Sequence, residues 1–342
     1  MKVLQVMCGA ETGGAEEFFV RLATAFVKTP ICQKVVIRAY PDRVNELKAK
    51  GVDMELLPFG RRLDFRTPFT LRRIIREWQP DVVLSWMGRA AEVCSRSLTE
   101  SGPVHVARLG GYYKLKYFEK CDHLIGNTMG MVGYIGKLGW PESATHYLPN
   151  FVSPEKSKEV DRATLATPQD VPLVLGLGRL HANKAFDVLL ESMEMLPKHW
   201  LWIAGAGPEE RSLRVRAKEL GIEKRIRFLG WRRDVASLLA SADVLVCPSR
   251  KEPLGNVIIE SWAHEVPVVA AASAGPRELI SHEKDGLLCE VNNPVAIADA
   301  VTRVDGDMGA RLSVQGLRNY QENFSEEVVV KKYLRFFESV RR

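Results

Sequence analysis

Two carboxylates and two cations in the second half of the chain could do chemistry. Glu252 and Glu260 stand in Pro248-Ser249-Arg250-Lys251-Glu252-Pro253-Leu254-Gly255-Asn256-Val257-Ile258-Ile259-Glu260. The segment follows the apolar run Val244–Cys247 and enters a helical pattern. Glu252 therefore falls in a loop, and Glu260 about one and a half turns into the helix. A carboxylate placed there can accept bonds from two vicinal ribose hydroxyls. A buried or capping Glu is the plainer alternative. Gly255 lets the backbone approach a ligand, and the N–H groups after it attract an anion. Glu pairs at this spacing arise by chance in an average chain, so the loop–glycine–helix context carries the weight. Arg179 and Lys184 lie on Gly176-Leu177-Gly178-Arg179-Leu180-His181-Ala182-Asn183-Lys184, after another apolar run. A planar fork and a point charge suit a diphosphate, although a solvated surface pair fits the same residues.

Two glycine loops complete the set. Gly9-Ala10-Glu11-Thr12-Gly13-Gly14-Ala15-Glu16 follows the first apolar run. Gly13 and Gly14 fit either a plain turn or a close backbone approach to an anion at a helix start. The loop is neither a G-x-G-x-x-G dinucleotide fingerprint nor a P-loop. Gly205-Ala206-Gly207-Pro208 reads as a turn and helix start, since Pro208 suits a first turn that needs no N–H.

The elements that must position these loops alternate along the chain. Strand-length apolar runs fall at Val3–Met7, Val35–Ala39, Met54–Leu57, Val82–Trp86, Val104–Leu109, His123–Gly126 and Thr145–Tyr147. After residue 172 they restart at Leu173–Leu177, Leu201–Ala204, Ile226–Leu229, Val244–Cys247, Val268–Ala271 and Gly286–Cys289. Helical patterns lie between most of them, which predicts parallel sheets covered on both faces. The polar stretch 153–172, with three prolines and no aromatic residue, reads as a linker between residues 1–152 and 173–324. A last helix over Glu326–Val340, within residues 325–342, is long enough to cross back onto the first domain. Two doubly wound α/β domains facing across a cleft follow, with ligands at the carboxyl ends of the strands.

Length and composition agree with this plan. The chain has 342 residues, 46% hydrophobic and 26% charged, which suits two globular domains and excludes a disordered chain. No apolar run is long enough to span a membrane, and the start shows no signal-peptide pattern, so the expected location is the cytoplasm. The six cysteines form no C-x-x-C pair and no zinc spacing, and read as small buried hydrophobes in a reducing compartment.

With these motifs in order, the chain resembles the retaining glycosyltransferases of family 4, which have the GT-B fold. The resemblance covers nearly the whole chain. Besides the loops above it rests on Phe228-Leu229-Gly230, on Ser241-Ala242-Asp243-Val244 and on Ala274-Gly275-Pro276-Arg277-Glu278. It implies a diphosphate site at Arg179 and Lys184. It also implies that Glu252 and the backbone of Leu254, Gly255, Asn256 and Val257 hold the transferred sugar and distal phosphate, and Glu260 the ribose. Gly13 and Gly14 would approach the donor from the first domain, and the loop after Gly230 would flank the nucleobase. No metal or cofactor is implied; the cations and helix dipole would stabilise the leaving diphosphate. Many relatives carry a His just after the strand that here reads Val104–Leu109. This chain has Arg108-Leu109-Gly110-Gly111-Tyr112 instead, which makes Arg108 and Tyr112 the acceptor-side candidates.

The charge belongs to the half that the resemblance gives to the acceptor. Residues 1–150 hold 21 Lys and Arg against 15 Asp and Glu, which accounts for the whole net charge of +6; the remainder balances. Arg61, Arg62, Arg66, Arg72, Arg73 and Arg76 are interleaved with apolar residues, and Lys114, Lys116 and Lys120 with aromatics. Such clusters suit an anionic membrane surface or a phosphorylated lipid; a solvated face over a core is the alternative. The expected activity is retaining transfer of a hexose from a nucleotide sugar, UDP-sugar over GDP-mannose, to a glycolipid of lipopolysaccharide-core type. The expected place is the inner face of the bacterial cytoplasmic membrane. Two rivals are a nicotinamide-dependent oxidoreductase, which lacks its fingerprint loop, and a non-catalytic membrane-associated protein that keeps the donor site. No nucleic-acid-binding motif is present.

Overall fold

A computed structural model describes residues 1–60, 64–99, 101–154 and 157–341. The chain forms two units. One comprises Met1–Phe151 with Glu326–Arg342, the other Val152–Ser325.

The first unit holds strands β1 (Lys2–Met7), β2 (Cys32–Ile37), β3 (Met54–Leu56), β4 (Val82–Trp86), β5 (Val104–Arg108), β6 (His123–Gly126) and β7 (Thr145–Tyr147). They form one parallel sheet in the order β3-β2-β1-β4-β5-β6-β7. Helices α1 (Gly14–Phe26), α2 (Pro41–Ala49), α3 (Arg66–Trp78), α4 (Met87–Ser97) and α5 (Met129–Lys137) belong to this unit. β4 and β5 are buried at every residue, as expected for strands with a layer on each face.

The second unit holds β8 (Leu173–Leu177), β9 (Trp200–Ala204), β10 (Ile226–Gly230), β11 (Val244–Cys247), β12 (Val268–Ala271) and β13 (Leu287–Cys289), in the parallel order β10-β9-β8-β11-β12-β13. Its helices are α6 (Phe186–Glu194), α7 (Glu210–Glu219), α8 (Val235–Ser241), α9 (Asn256–Ala263), α10 (Ala274–Leu279), α11 (Pro294–Val304) and α12 (Asp307–Asn323). The 153–172 stretch, expected as a linker, lies in this unit. Val160 N donates to Ser241 Oγ at 2.8 Å, Arg162 Nη2 to Ser241 O at 2.7 Å, and Trp202 Nε1 to Thr167 Oγ1 at 2.9 Å.

The last helix, α13 (Glu326–Val340), returns to the first unit. Val329, Val330, Tyr333, Phe336 and Phe337 join the core around Phe18, Phe26 and Trp86. Among the described residues no helix is long and apolar enough to cross a membrane. All six cysteines are free and five are buried; Cys32 is exposed.

Arg108 requires a correction. It is 1% exposed, because β5 is covered on both faces. Its Nε donates to Tyr333 Oη at 2.9 Å and its Nη2 to Asn150 Oδ1. Its guanidinium lies 4.6 Å from the Phe18 ring centroid and 4.9 Å from that of Trp86. A cation so enclosed holds α13 to the sheet and has no surface to offer an acceptor. Tyr112 is exposed, its ring edge-on to Tyr134 at 5.0 Å.

Candidate functional site

In each sheet the strand order reverses once, between β1 and β4 in the first unit and between β8 and β11 in the second. At such a point the loops leave in opposite directions and open a crevice at the carboxyl ends of the strands. The second unit brings its two main motif loops together there. Lys184, after β8, places its Nζ on Glu252 Oε2, after β11. The Glu252 side chain is 10% exposed and also accepts from Ser249 Oγ at 3.3 Å. Burial works against the Lys184 ammonium, but the Glu252 charge and hydrogen bond outweigh it and hold its pKa above the usual value. Arg179 is exposed, with no hydrogen-bond or ion-pair partner among the described residues.

Backbone packing fixes both loops. Gly178 N donates to Ala204 O at 3.0 Å and Leu180 N to Ala206 O at 3.1 Å. A Cβ on Gly205 would lie 1.8 Å from Gly178 O, and one on Gly207 2.2 Å from Leu180 O. The Gly205-Ala206-Gly207 glycines thus let one loop lie against the other. Gly275 acts alike on the second loop. It donates to Glu252 O at 2.7 Å, and a Cβ there would meet Leu254 O at 2.4 Å. Gly255, at φ 96°, turns the chain into α9, whose N-terminus has no capping side chain. Leu254 and Gly255 are buried; Asn256, Val257 and Glu260 are half-buried along α9. Gly230, at φ 68°, ends β10 beside the exposed Trp231.

Sequence reasoning missed Arg250. It donates to Asp187 at 2.9 and 2.6 Å, to Asn292 Oδ1 at 2.6 Å and to Ala182 O at 2.8 Å. It clamps the loop after β11 to the loop that carries Lys184. Burial raises the Asp187 carboxyl, but the Arg250 bonds outweigh it and the pKa lies below the usual value.

In the first unit, Gly13 precedes α1 with extended backbone, so left-handed geometry does not explain it. Glu16 does. Its carboxylate is buried under the loop and accepts from Ala10 N at 2.8 Å. A Cβ on Gly9 or Gly13 would lie 2.2 or 2.4 Å from it. Arg43, also buried, donates from Nη2 to Ala10 O and, at 2.9 Å, to Glu11 O. Glu16 and Arg43 were both unread in the sequence, though an acid in the first turn after a glycine loop is a usable signal.

The basic clusters divide. Arg61 and Arg62 lie outside the described residues. Arg66, Arg72, Arg73 and Arg76 are exposed on α3, which buries Thr67, Leu71, Ile74 and Ile75. Phe65 and Phe69 are 77% and 74% exposed beside them. Lys114, Lys116 and Lys120 are exposed, as is Tyr112, but their other aromatic neighbours turn inward. Phe118 is buried, and Tyr113 and Tyr117 are half-buried.

Residues 157–312 match the family model described as glycosyl transferases group 1. Over 345 residues the chain is 34% identical to the lipopolysaccharide core biosynthesis glycosyltransferase LpsE of Rhizobium meliloti (strain 1021), with 99% of each chain covered. It is 32% identical to LpsD of the same organism, over 99% of this chain and 98% of LpsD. Its fold is similar to that of Anabaena Alr3699/HepE, solved in complex with UDP and glucose, at TM-score 0.84 and 20% identity over 99% of this chain and 100% of that one.

Proposed function

This chain belongs to the group 1 glycosyltransferases, enzymes of GT-B fold, and from that membership we propose a specific reaction for it. It transfers a hexose from UDP-sugar, with retention of anomeric configuration, to a hydroxyl of a lipopolysaccharide-core glycolipid at the inner face of the cytoplasmic membrane. The observation that carries this reading is the meeting of Lys184 and Glu252 at the switch point of the second unit, beside the uncapped start of α9.

There the Lys184 ammonium, the Arg179 guanidinium and the α9 N–H groups hold the diphosphate and stabilise its charge as it leaves. Glu252 and the backbone of residues 254–257 hold the sugar, and Glu260 accepts bonds from the ribose hydroxyls. The acceptor oxygen attacks the anomeric carbon from the face that the diphosphate leaves. The sugar–phosphate bond breaks as the glycosidic bond forms, and the acceptor proton passes to a diphosphate oxygen. The reading needs no metal and no covalent protein intermediate. The LpsE and LpsD relatives support a lipopolysaccharide-core acceptor, and the UDP in the HepE complex favours UDP over GDP.

Calorimetric titration with UDP and GDP, followed by a turnover screen of UDP-hexoses and GDP-mannose, tests the reading. UDP binding with turnover of a UDP-hexose is expected; binding of neither nucleotide refutes it. Glu260→Ala should weaken UDP about tenfold or more, since two hydrogen bonds to a charged group are lost. Unchanged UDP affinity removes Glu260 from the ribose.

A further inference from the structure

The contact between Lys184 and Glu252 joins two loops that leave different strands, and three ties outside the pair hold those loops in place. Lys251 N donates to Asn183 O at 3.2 Å. Arg250 Nη1 donates to Ala182 O at 2.8 Å. Its Nη1 and Nη2 also form a fork on Asp187 Oδ1 and Oδ2, at 2.9 and 2.6 Å. A further bond, from Nε to Asn292 Oδ1 at 2.6 Å, reaches the segment between β13 and α11. One guanidinium therefore fastens the segments that follow β8, β11 and β13.

The ties close on both sides of Lys184. Ala182 and Asn183 precede it in a short 3-10 turn, and Asp187 stands in the first turn of α6 just after it. Between Lys184 and α6, the buried Ala185 sits at φ 53°, ψ 38°. A residue with a Cβ held in the left-handed region persists only where its surroundings over-determine it. The bonds of Arg250 on either side of Lys184 and Ala185 supply that constraint.

Arg250 differs in kind from Arg179. Four bonds to protein groups engage a guanidinium that has five N–H donors, and Asp187 matches its charge. Arg179 has no partner among the described residues. The Arg250 and Asp187 side chains are 30% and 48% exposed, and an ion pair so open to water adds little to stability. Its contribution is geometric, since a planar fork fixes angles that a lysine cannot reproduce.

We propose that Arg250 is a positioning residue for the donor reaction. With Asp187 it holds the Lys184 ammonium against Glu252, where the donor diphosphate binds, and it does not itself touch the donor. The assignment rests on the donor reading above and adds to it the residues that set the diphosphate contact.

Calorimetric titration of UDP and UMP on the full chain tests it, with Arg250→Lys, Asp187→Asn, Lys184→Ala and the double variant of Arg250→Lys with Lys184→Ala. Arg250→Lys keeps the charge and loses the fork. It and Asp187→Asn should each weaken UDP about tenfold and leave UMP affinity within about twofold. In the Lys184→Ala background, Arg250→Lys should weaken UDP no further, because the contact it positions is already gone. Parental UDP affinity in Arg250→Lys overturns the proposal. So does parallel loss of UDP and UMP, which marks a merely structural role, and so do additive losses, which mean that Arg250 meets the donor independently of Lys184. If the parent binds neither nucleotide, or both alike, the donor reading fails instead. Thermal melts of the parent, the two single variants and the double variant then decide the clamp: less than additive destabilisation upholds it, and additive destabilisation overturns it.

Discussion

Arg179 and Lys184 stand five residues apart yet answer to different constraints. Lys184 is the cation of a largely enclosed carboxylate, so Lys184→Ala leaves Glu252 with only the Ser249 hydroxyl among the described residues. Removing one partner of a largely buried pair costs about 3 kcal/mol. The variant should melt several degrees lower and lose donor turnover together. Arg179 has no structural partner among the described residues, so Arg179→Ala should melt with the parent. It should nonetheless lose about a hundredfold or more in turnover if its guanidinium meets the diphosphate in the transition state. Thermal melts beside donor hydrolysis rates decide this. A destabilised Arg179→Ala, or one with parental turnover, contradicts the assignment. The same contrast shows what spacing reveals. The motif loops were legible because each follows an apolar strand directly. Lys184 with Glu252 and Arg250 with Asp187 are 68 and 63 residues apart, and only the sheet order brings them together.

Elements were legible in proportion to their burial pattern. β8, β11 and β12 read as continuous apolar runs buried at every residue, because helices cover both faces, whereas the edge strands β3 and β7 carry polar residues and are partly exposed. α12 carries a weak helical pattern, because it buries only Gly309, Leu312, Gly316 and Tyr320, and Gly316 packs closely on Trp262. α2 starts at a proline and buries only Arg43 and Leu47, and α5 contains three glycines. Strands β5 to β7 of the first sheet carry a further consequence at this scale. His105 on β5 is buried against Ser85 Oγ at 2.9 Å, and burial pushes its pKa down to about 4. His146 on β7 meets His123 at 3.1 Å and lies tilted against the Phe336 ring of α13 at 4.6 Å; burial, then the charge of His123, lowers it to about 4. Both rings bind a proton more readily unfolded, where the pKa is 6.5. Their stabilisation is therefore complete above pH 6.5 and shrinks as pH falls towards 4. His105 alone accounts for about 3 kcal/mol at pH 4. Urea unfolding at pH 7, 5 and 4 should show this decline, and His146→Phe should flatten part of it. An unchanged slope in that variant places the titration elsewhere.

On α3 the excess charge and exposed aromatic rings coincide. The net +6 belongs to residues 1–150, and α3 presents Arg66, Arg72, Arg73 and Arg76 alongside Phe65 and Phe69. Net charge alone would draw any part of the surface to an anionic membrane. A face with exposed rings should instead dock in one orientation, with α3 against the lipid. Each basic group near such a surface contributes about 1 kcal/mol. Reversing Arg72, Arg73 and Arg76 to Glu should therefore lower partition into phosphatidylglycerol vesicles at least about a hundredfold. The same number of reversals on the second unit, at the exposed Arg211, Lys218 and Lys224, changes the net charge equally. It should leave partition nearly unaltered if α3 is the docking face. UDP affinity should stay constant in the α3 variant, because Arg179, Lys184, Glu252 and Glu260 lie in the other unit. Equal loss of vesicle binding from both sets would reduce the effect to net charge, and loss of UDP binding with the α3 set would show that these arginines serve the fold.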